Sequence, residues 1–100
     1  VLIDDDPLVH TLWKDKAESK GRRLRTFYSV QKFLDEAKEL NRDTTVFVDS
    51  NLGDGHKGEE EAAFIYDMGF KEIFLVTGYP NFEFERNKWI KGVRGKDAPF

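Results

Sequence analysis

The 100 residues are enough for one domain with a single core, and 39% hydrophobic with 35% charged residues is a globular composition on the polar side. A net charge of −3 gives no electrostatic case for nucleic acid or an anionic membrane surface, and the lack of cysteine excludes disulfides and thiolate metal sites. No apolar run nears the ~20 residues of a membrane-spanning helix, so no membrane contact is expected. No signal peptide precedes the first strand and the chain opens on Val1 in mid-strand, which suggests a cytoplasmic domain, residues 1–100, of a longer protein.

In chain order, Val1, Leu2 and Ile3 form a first strand that stops at Asp4, Asp5 and Asp6. Asp6 before Pro7 reads as an N-cap followed by a first-position proline. Val9, Leu12, Trp13 and Ala17 then recur at helical spacing, and Gly21 ends that helix. Residues 24–28 are a strand, and Arg22, Arg23 and Arg25 place it at an exposed edge. Ser29 caps a second helix whose apolar stripe is Val30, Phe33, Leu34, Ala37 and Leu40. Residues 45–48 are apolar and β-branched, as in a strand buried on both faces, and end at Asp49 before the loop of Gly53, Asp54 and Gly55. A third helix starts near Glu59, with Glu60 and Glu61 complementing its N-terminal dipole, and stops at Gly69. Residues 73–76 are another buried strand, ending at Thr77 and Gly78. Residues 81–90 form a weak helix without a clean period, and 92–95 a short last strand with Lys96 at its end. Alternating strands and helices call for an α/β fold, a parallel sheet covered on both faces.

The chemistry gathers at strand ends, where open α/β sheets bind their ligands. If the first and third strands are neighbours, Asp4, Asp5 and Asp49 converge on one crevice. Two carboxylates about 5 Å apart repel by roughly 3 kcal/mol at an effective dielectric of about 20, so the crevice asks for a cation. Hard oxygen ligands suit Mg²⁺, which keeps open positions for waters and phosphate oxygens. Asp49 is then the natural nucleophile for an aspartyl-phosphate, Thr77 can offer a hydroxyl to the phosphoryl oxygens, and Lys96 a point positive charge. Asp6 is assigned to capping instead. His10 and His56 read as solvated side chains, Trp13 and Trp89 as packing residues, and the basic run 20–25 as a charged edge.

These residues carry a resemblance. Val-Leu-Ile-Asp-Asp-Asp-Pro at 1–7, Val-Phe-Val-Asp-Ser-Asn-Leu at 46–52, Leu-Val-Thr-Gly at 75–78 and the strand-terminal Lys96 resemble the receiver domain of two-component response regulators and hybrid sensor histidine kinases, over essentially the whole chain. The resemblance implies a flavodoxin-like, doubly wound five-stranded parallel sheet of order 2-1-3-4-5. It implies that Asp49 takes phosphate from the phosphohistidine of a histidine kinase or phosphotransfer domain. It further implies that Asp5, Asp49 and the Asn51 backbone carbonyl bind Mg²⁺ directly, that Asp4 acts through water, and that Thr77 and Lys96 bind the phosphoryl group. Such a domain is a switch rather than a turnover enzyme.

The chain departs from the family pattern in several places. Asp97 and Ala98 separate Lys96 from Pro99, where receivers commonly have Pro directly after the lysine, and Val93 stands where an aromatic is common. Gly53 replaces a frequent Pro, Gly58 falls one position late, and nothing remains after Phe100 for a fifth helix. The first-helix side of strands three to five is therefore expected to be open, partly covered by Trp89 and Phe100, and buried against a second copy or the parent chain. Two rivals stay open. One is a small phosphohydrolase with Asp49 as nucleophile, against which Asn51 stands where the haloacid dehalogenase pattern wants an acid. The other is a degenerate receiver acting only as an interaction module, against which the full set of Asp4, Asp5, Asp49, Thr77 and Lys96 speaks.

Overall fold

The computed structural model describes residues 1–52, 57–78 and 89–100. Its elements are β1 (Leu2–Ile3), α1 (Pro7–Ser19), β2 (Thr26–Phe27), α2 (Val30–Glu36) with a 3₁₀ turn at Ala37–Glu39, β3 (Val46–Asp49), α3 (Gly58–Asp67), β4 (Ile73–Val76) and β5 (Gly92–Arg94). All strand pairs are parallel, in the order β2-β1-β3-β4-β5. This is the flavodoxin-like sheet that the resemblance implies. The weak helix at 81–90 lies outside the described residues apart from Trp89 and Ile90, and so do His56 and the loop glycines Gly53 and Gly55.

Local signals set most boundaries. The Asp6 carboxylate accepts from the Leu8 N–H at 2.9 Å, with Pro7 at the first helical position of α1. At the other end, Gly21 has φ +64°, its N–H donates to the Glu18 carbonyl and the Arg22 N–H to the Ala17 carbonyl. That is a Schellman ending, which needs a left-handed residue and so favours glycine. The Ser29 hydroxyl accepts from the Lys32 N–H at the start of α2. β2 is shorter than the 24–28 expected, although the Leu2 N–H still pairs with the Arg25 carbonyl and the Asp4 N–H with that of Phe27. With charged arginines on its outer side, only the stretch facing β1 is held as a strand.

The sheet divides two cores. Ile3, Val46, Val48, Ile73 and Leu75 point to the side of α2 and α3, where they meet Phe27, Phe33, Ala62, Ile65 and Phe70. Phe33 sits edge-on to both Phe27 and Phe70, with ring centroids 5.5 and 5.2 Å away. Each such side chain stabilises the fold by ~1.5–3 kcal/mol through burial. The alternate residues Leu2, Phe47 and Val76 face α1, where Val9, Trp13 and Phe100 pack on them.

Three expectations are corrected here. Leu12 is 57% exposed, and its place on the inner face of α1 is taken by His10, which is 2% exposed and not solvated. Positions 9, 10, 13 and 17 form the buried stripe, so the helix is rotated slightly from the expected register. Trp89 does not fold over the first-helix side. It packs into the opposite core, beside Ile90, and its indole N–H donates to the Glu59 carbonyl at 3.2 Å. A half-buried indole still favours an acceptor, and the first turn of α3 supplies one. Phe100 does lie on the α1 side, edge-on to Trp13 at 6.1 Å. Beyond it, among the described residues, α1 is the only helix on that face. Phe47 and Phe74 stack there at 5.5 Å with the Arg94 guanidinium over Phe74.

Candidate functional site

The sheet register brings the acidic strand ends together. Ile3 pairs with Val48, so Asp4 follows β1 directly beside Asp49 at the end of β3. Asp4, Asp5 and Asp49 each present a carboxylate oxygen within 4.8 Å of the others. Asp4 is fully buried, Asp49 is 5% exposed, and Asp5 opens to solvent. Three hard-oxygen donors with one open side could hold a metal ion.

The sheet also supplies a cation of its own. Lys96, two residues beyond β5, reaches across β4 so that its Nζ donates to Asp4 Oδ2 at 2.9 Å and to Asp49 Oδ1 at 2.5 Å. The second oxygen of Asp4 accepts from the Asp6 N–H at 2.9 Å. A further backbone N–H, from Asn51, bonds the Asp49 carboxylate. One ammonium faces three carboxylates, so the cluster stays negative and a divalent cation fits it electrostatically.

Burial pushes the Asp49 carboxyl up from its ordinary range; the Lys96 hydrogen bond opposes this, and the Asp4 charge adds to it. Burial alone would lower the Lys96 ammonium, but its hydrogen bonds to Asp49 and Asp4 outweigh that and raise it. The pair is thus held as a buried carboxylate that is unusually basic beside an ammonium that keeps its proton.

Thr77 ends β4 at the same crevice, 3% exposed, with its N–H bonded to the Arg94 carbonyl at 3.0 Å. Asn51 forms an isolated bridge to Lys57 across the mouth of the loop after β3. The residues assigned to the site, Asp4, Asp5, Asp49, Asn51, Thr77 and Lys96, therefore all lie at or just past the carboxyl ends of neighbouring strands. Asp6 keeps to its capping role.

Sequence reasoning missed two parts of the frame. His10 Nε2 donates to the Asp4 carbonyl at 2.6 Å, and its ring stacks on Tyr28 at 4.1 Å. An acceptor carbonyl fixes the ring proton on Nε2, and Nδ1 is buried with no partner among the described residues. The helical spacing of 10, 13 and 17 was the available signal. The other is Gly58, which opens α3 against Asp49 itself: a Cβ there would stand 2.0 Å from the Asp49 carbonyl oxygen. The glycine that looked displaced in sequence is the one that lets the helix touch the strand end.

Comparison with protein-family models, with curated proteins and with solved structures finds no match to this chain. Among the described residues, no helix is long and apolar enough to cross a membrane.

Proposed function

We propose that this chain is a phosphoacceptor receiver domain, in which Asp49 takes a phosphoryl group from the phosphohistidine of a histidine kinase or a phosphotransfer domain. The observation that carries the reading is Lys96 Nζ bridging Asp4 and Asp49 inside a carboxylate cluster that remains negative. A structural salt bridge would need one carboxylate for one lysine, and burying both Asp4 and Asp49 with a third carboxylate, Asp5, beside them costs more than it returns. An acidic crevice with an excess carboxylate, a buried hydroxyl residue and a lysine matches what phosphoryl transfer uses: a carboxylate nucleophile and positive charge for the transferred oxygens.

In this reading an Asp49 carboxylate oxygen forms the new O–P bond as the bond from phosphorus to the donor imidazole nitrogen breaks. The electron pair leaves with the imidazole, which takes up a proton. Lys96 turns its ammonium from Asp49 to the phosphoryl oxygens, and the Thr77 hydroxyl donates to them. Asp5, Asp49 and the Asn51 carbonyl would hold Mg²⁺, with Asp4 at one remove because Asp6 and Lys96 already engage its oxygens. When bound, Mg²⁺ supplies charge neutralisation for the incoming phosphoryl oxygens. The domain so read is a switch within a phosphorelay, and a hybrid sensor histidine kinase is the parent that the resemblance favours.

Acetyl phosphate with Mg²⁺ tests this. Intact mass spectrometry is expected to show one added phosphate on the wild type and none on Asp49→Asn. Equal labelling of the two proteins would sink the assignment.

A further inference from the structure

We propose that Trp13 is a positioning residue for Lys96, its indole N–H setting where the lysine ammonium stands against Asp4 and Asp49. The proposal rests on the reading of those carboxylates as a cation site, not on phosphoryl transfer. Trp13 is fully buried in α1, and its one polar atom must find an acceptor or lose the worth of a hydrogen bond. That acceptor is the Lys96 carbonyl, 2.7 Å away and 83 positions along the chain.

Lys96 needs such an anchor. It lies past the end of β5, beyond the last strand pairing of Val76 with Arg94, so the sheet ladder does not fix its backbone. A lysine carries about 2 kcal/mol of rotamer entropy on a flexible stem. Its Nζ nevertheless meets two carboxylates at 2.9 and 2.5 Å, which a displaced Cα would prevent. Phe47 and Phe100 pack edge-on against the Trp13 ring at 5.3 and 6.1 Å and hold the indole in place. The path therefore runs from α1 through the indole to the Lys96 backbone and out along its side chain to the carboxylates. By reciprocity, whatever the carboxylates hold is felt at the indole.

Packing alone is the plainer role for a buried tryptophan, and Trp13→Phe separates the two because it keeps an aromatic ring and removes the N–H. Mg²⁺ affinity is measured by calorimetry in wild type, Trp13→Phe, Lys96→Met and the double variant. The ammonium and the divalent ion compete for the same oxygens, so Lys96→Met tightens Mg²⁺ binding. Trp13→Phe is expected to tighten it by roughly two- to tenfold, the range one hydrogen bond supports, and to change nothing once Lys96 is Met. An equal effect in both backgrounds, or none in the wild type, overturns the proposal.

The indole Hε1 resonance, assigned with Trp13→Phe and Trp89→Phe, gives a second readout. Mg²⁺ should move the Trp13 signal and leave that of Trp89, and Lys96→Met should quicken Trp13 Hε1 exchange. If no variant binds Mg²⁺, the cation-site reading falls by itself. The indole then decides alone, and an Hε1 signal identical in position and exchange rate in wild type and Lys96→Met would refute the role of Trp13.

Discussion

Replacing Gly58 by alanine adds one methyl group at the most crowded of the described glycines. The new Cβ would lie 2.0 Å from the Asp49 carbonyl oxygen, 2.8 Å from its carbon and 3.0 Å from Leu75 Cδ1. Carbon–oxygen contact begins at about 3.3 Å, so strand and helix must part by about 1 Å. The leucine methyl can turn aside, but the two nearest atoms are backbone. They belong to β3, the strand paired with both β1 and β4. Overpacking of this kind costs ~1–3 kcal/mol, whereas alanine's helix propensity returns at most about 1 kcal/mol. The overlap wins. Gly58→Ala is expected to lower stability by ~1–2 kcal/mol, which for a 100-residue domain is a fall of roughly 5–15 °C in Tm. Chemical and thermal denaturation measure it, with Gly78→Ala as the control: among the described residues nothing lies within 4 Å of a Cβ at Gly78, and that variant should melt with the wild type. Labelling by acetyl phosphate should slow in Gly58→Ala, because Asp49 is the residue displaced. A Gly58→Ala protein melting at or above the wild-type temperature would refute the close approach.

The acidic residues after β1 should separate into metal and cap: Asp5→Asn weakens Mg²⁺ binding in calorimetry with little change in Tm, while Asp6→Ala loses ~1 kcal/mol of stability with Mg²⁺ affinity kept. If Asp6→Ala damaged metal binding more than Asp5→Asn, the strand-end register would be misread. Stability should also fall with rising pH through both members of the buried pair, each in its own window. Lys96 is raised in the folded state, so its contribution is complete below the ordinary lysine value near ~10.4 and is lost as pH climbs through the raised one. Denaturation of wild type against Lys96→Met across that range should show the two converging. Asp49 is also raised, and for a carboxyl that means the folded state holds the proton longer. Its term falls as pH rises from about 3.9 through the raised value, so Asp49→Asn should gain relative to wild type over that window and hold a constant difference above it. A difference that is flat with pH would show that Asp49 does not titrate abnormally.

What could be read along the chain was what neighbours in sequence decide. Asp6 and Ser29 cap their helices because a carboxylate or hydroxyl reaches an N–H two or three residues on, and Gly21 ends α1 because its φ of +64° suits glycine. Residues 73–76 announce a buried strand by their composition, and each acidic or polar residue that closes a strand marks the carboxyl edge of the sheet. The strand order was reachable only through the resemblance, since periodicity does not say which strands are neighbours. The charge argument asked for a cation, and Lys96 proved to be one already in place, from a residue 92 positions away from Asp4. His10, Trp13 and Gly58 are different in kind. Whether a histidine on a helix is solvated, which carbonyl a buried indole meets, and which glycine lies under a strand end all depend on the rotation and height at which a helix lands on the sheet. Those are set by packing between segments distant in the chain, and only the tertiary structure fixes them.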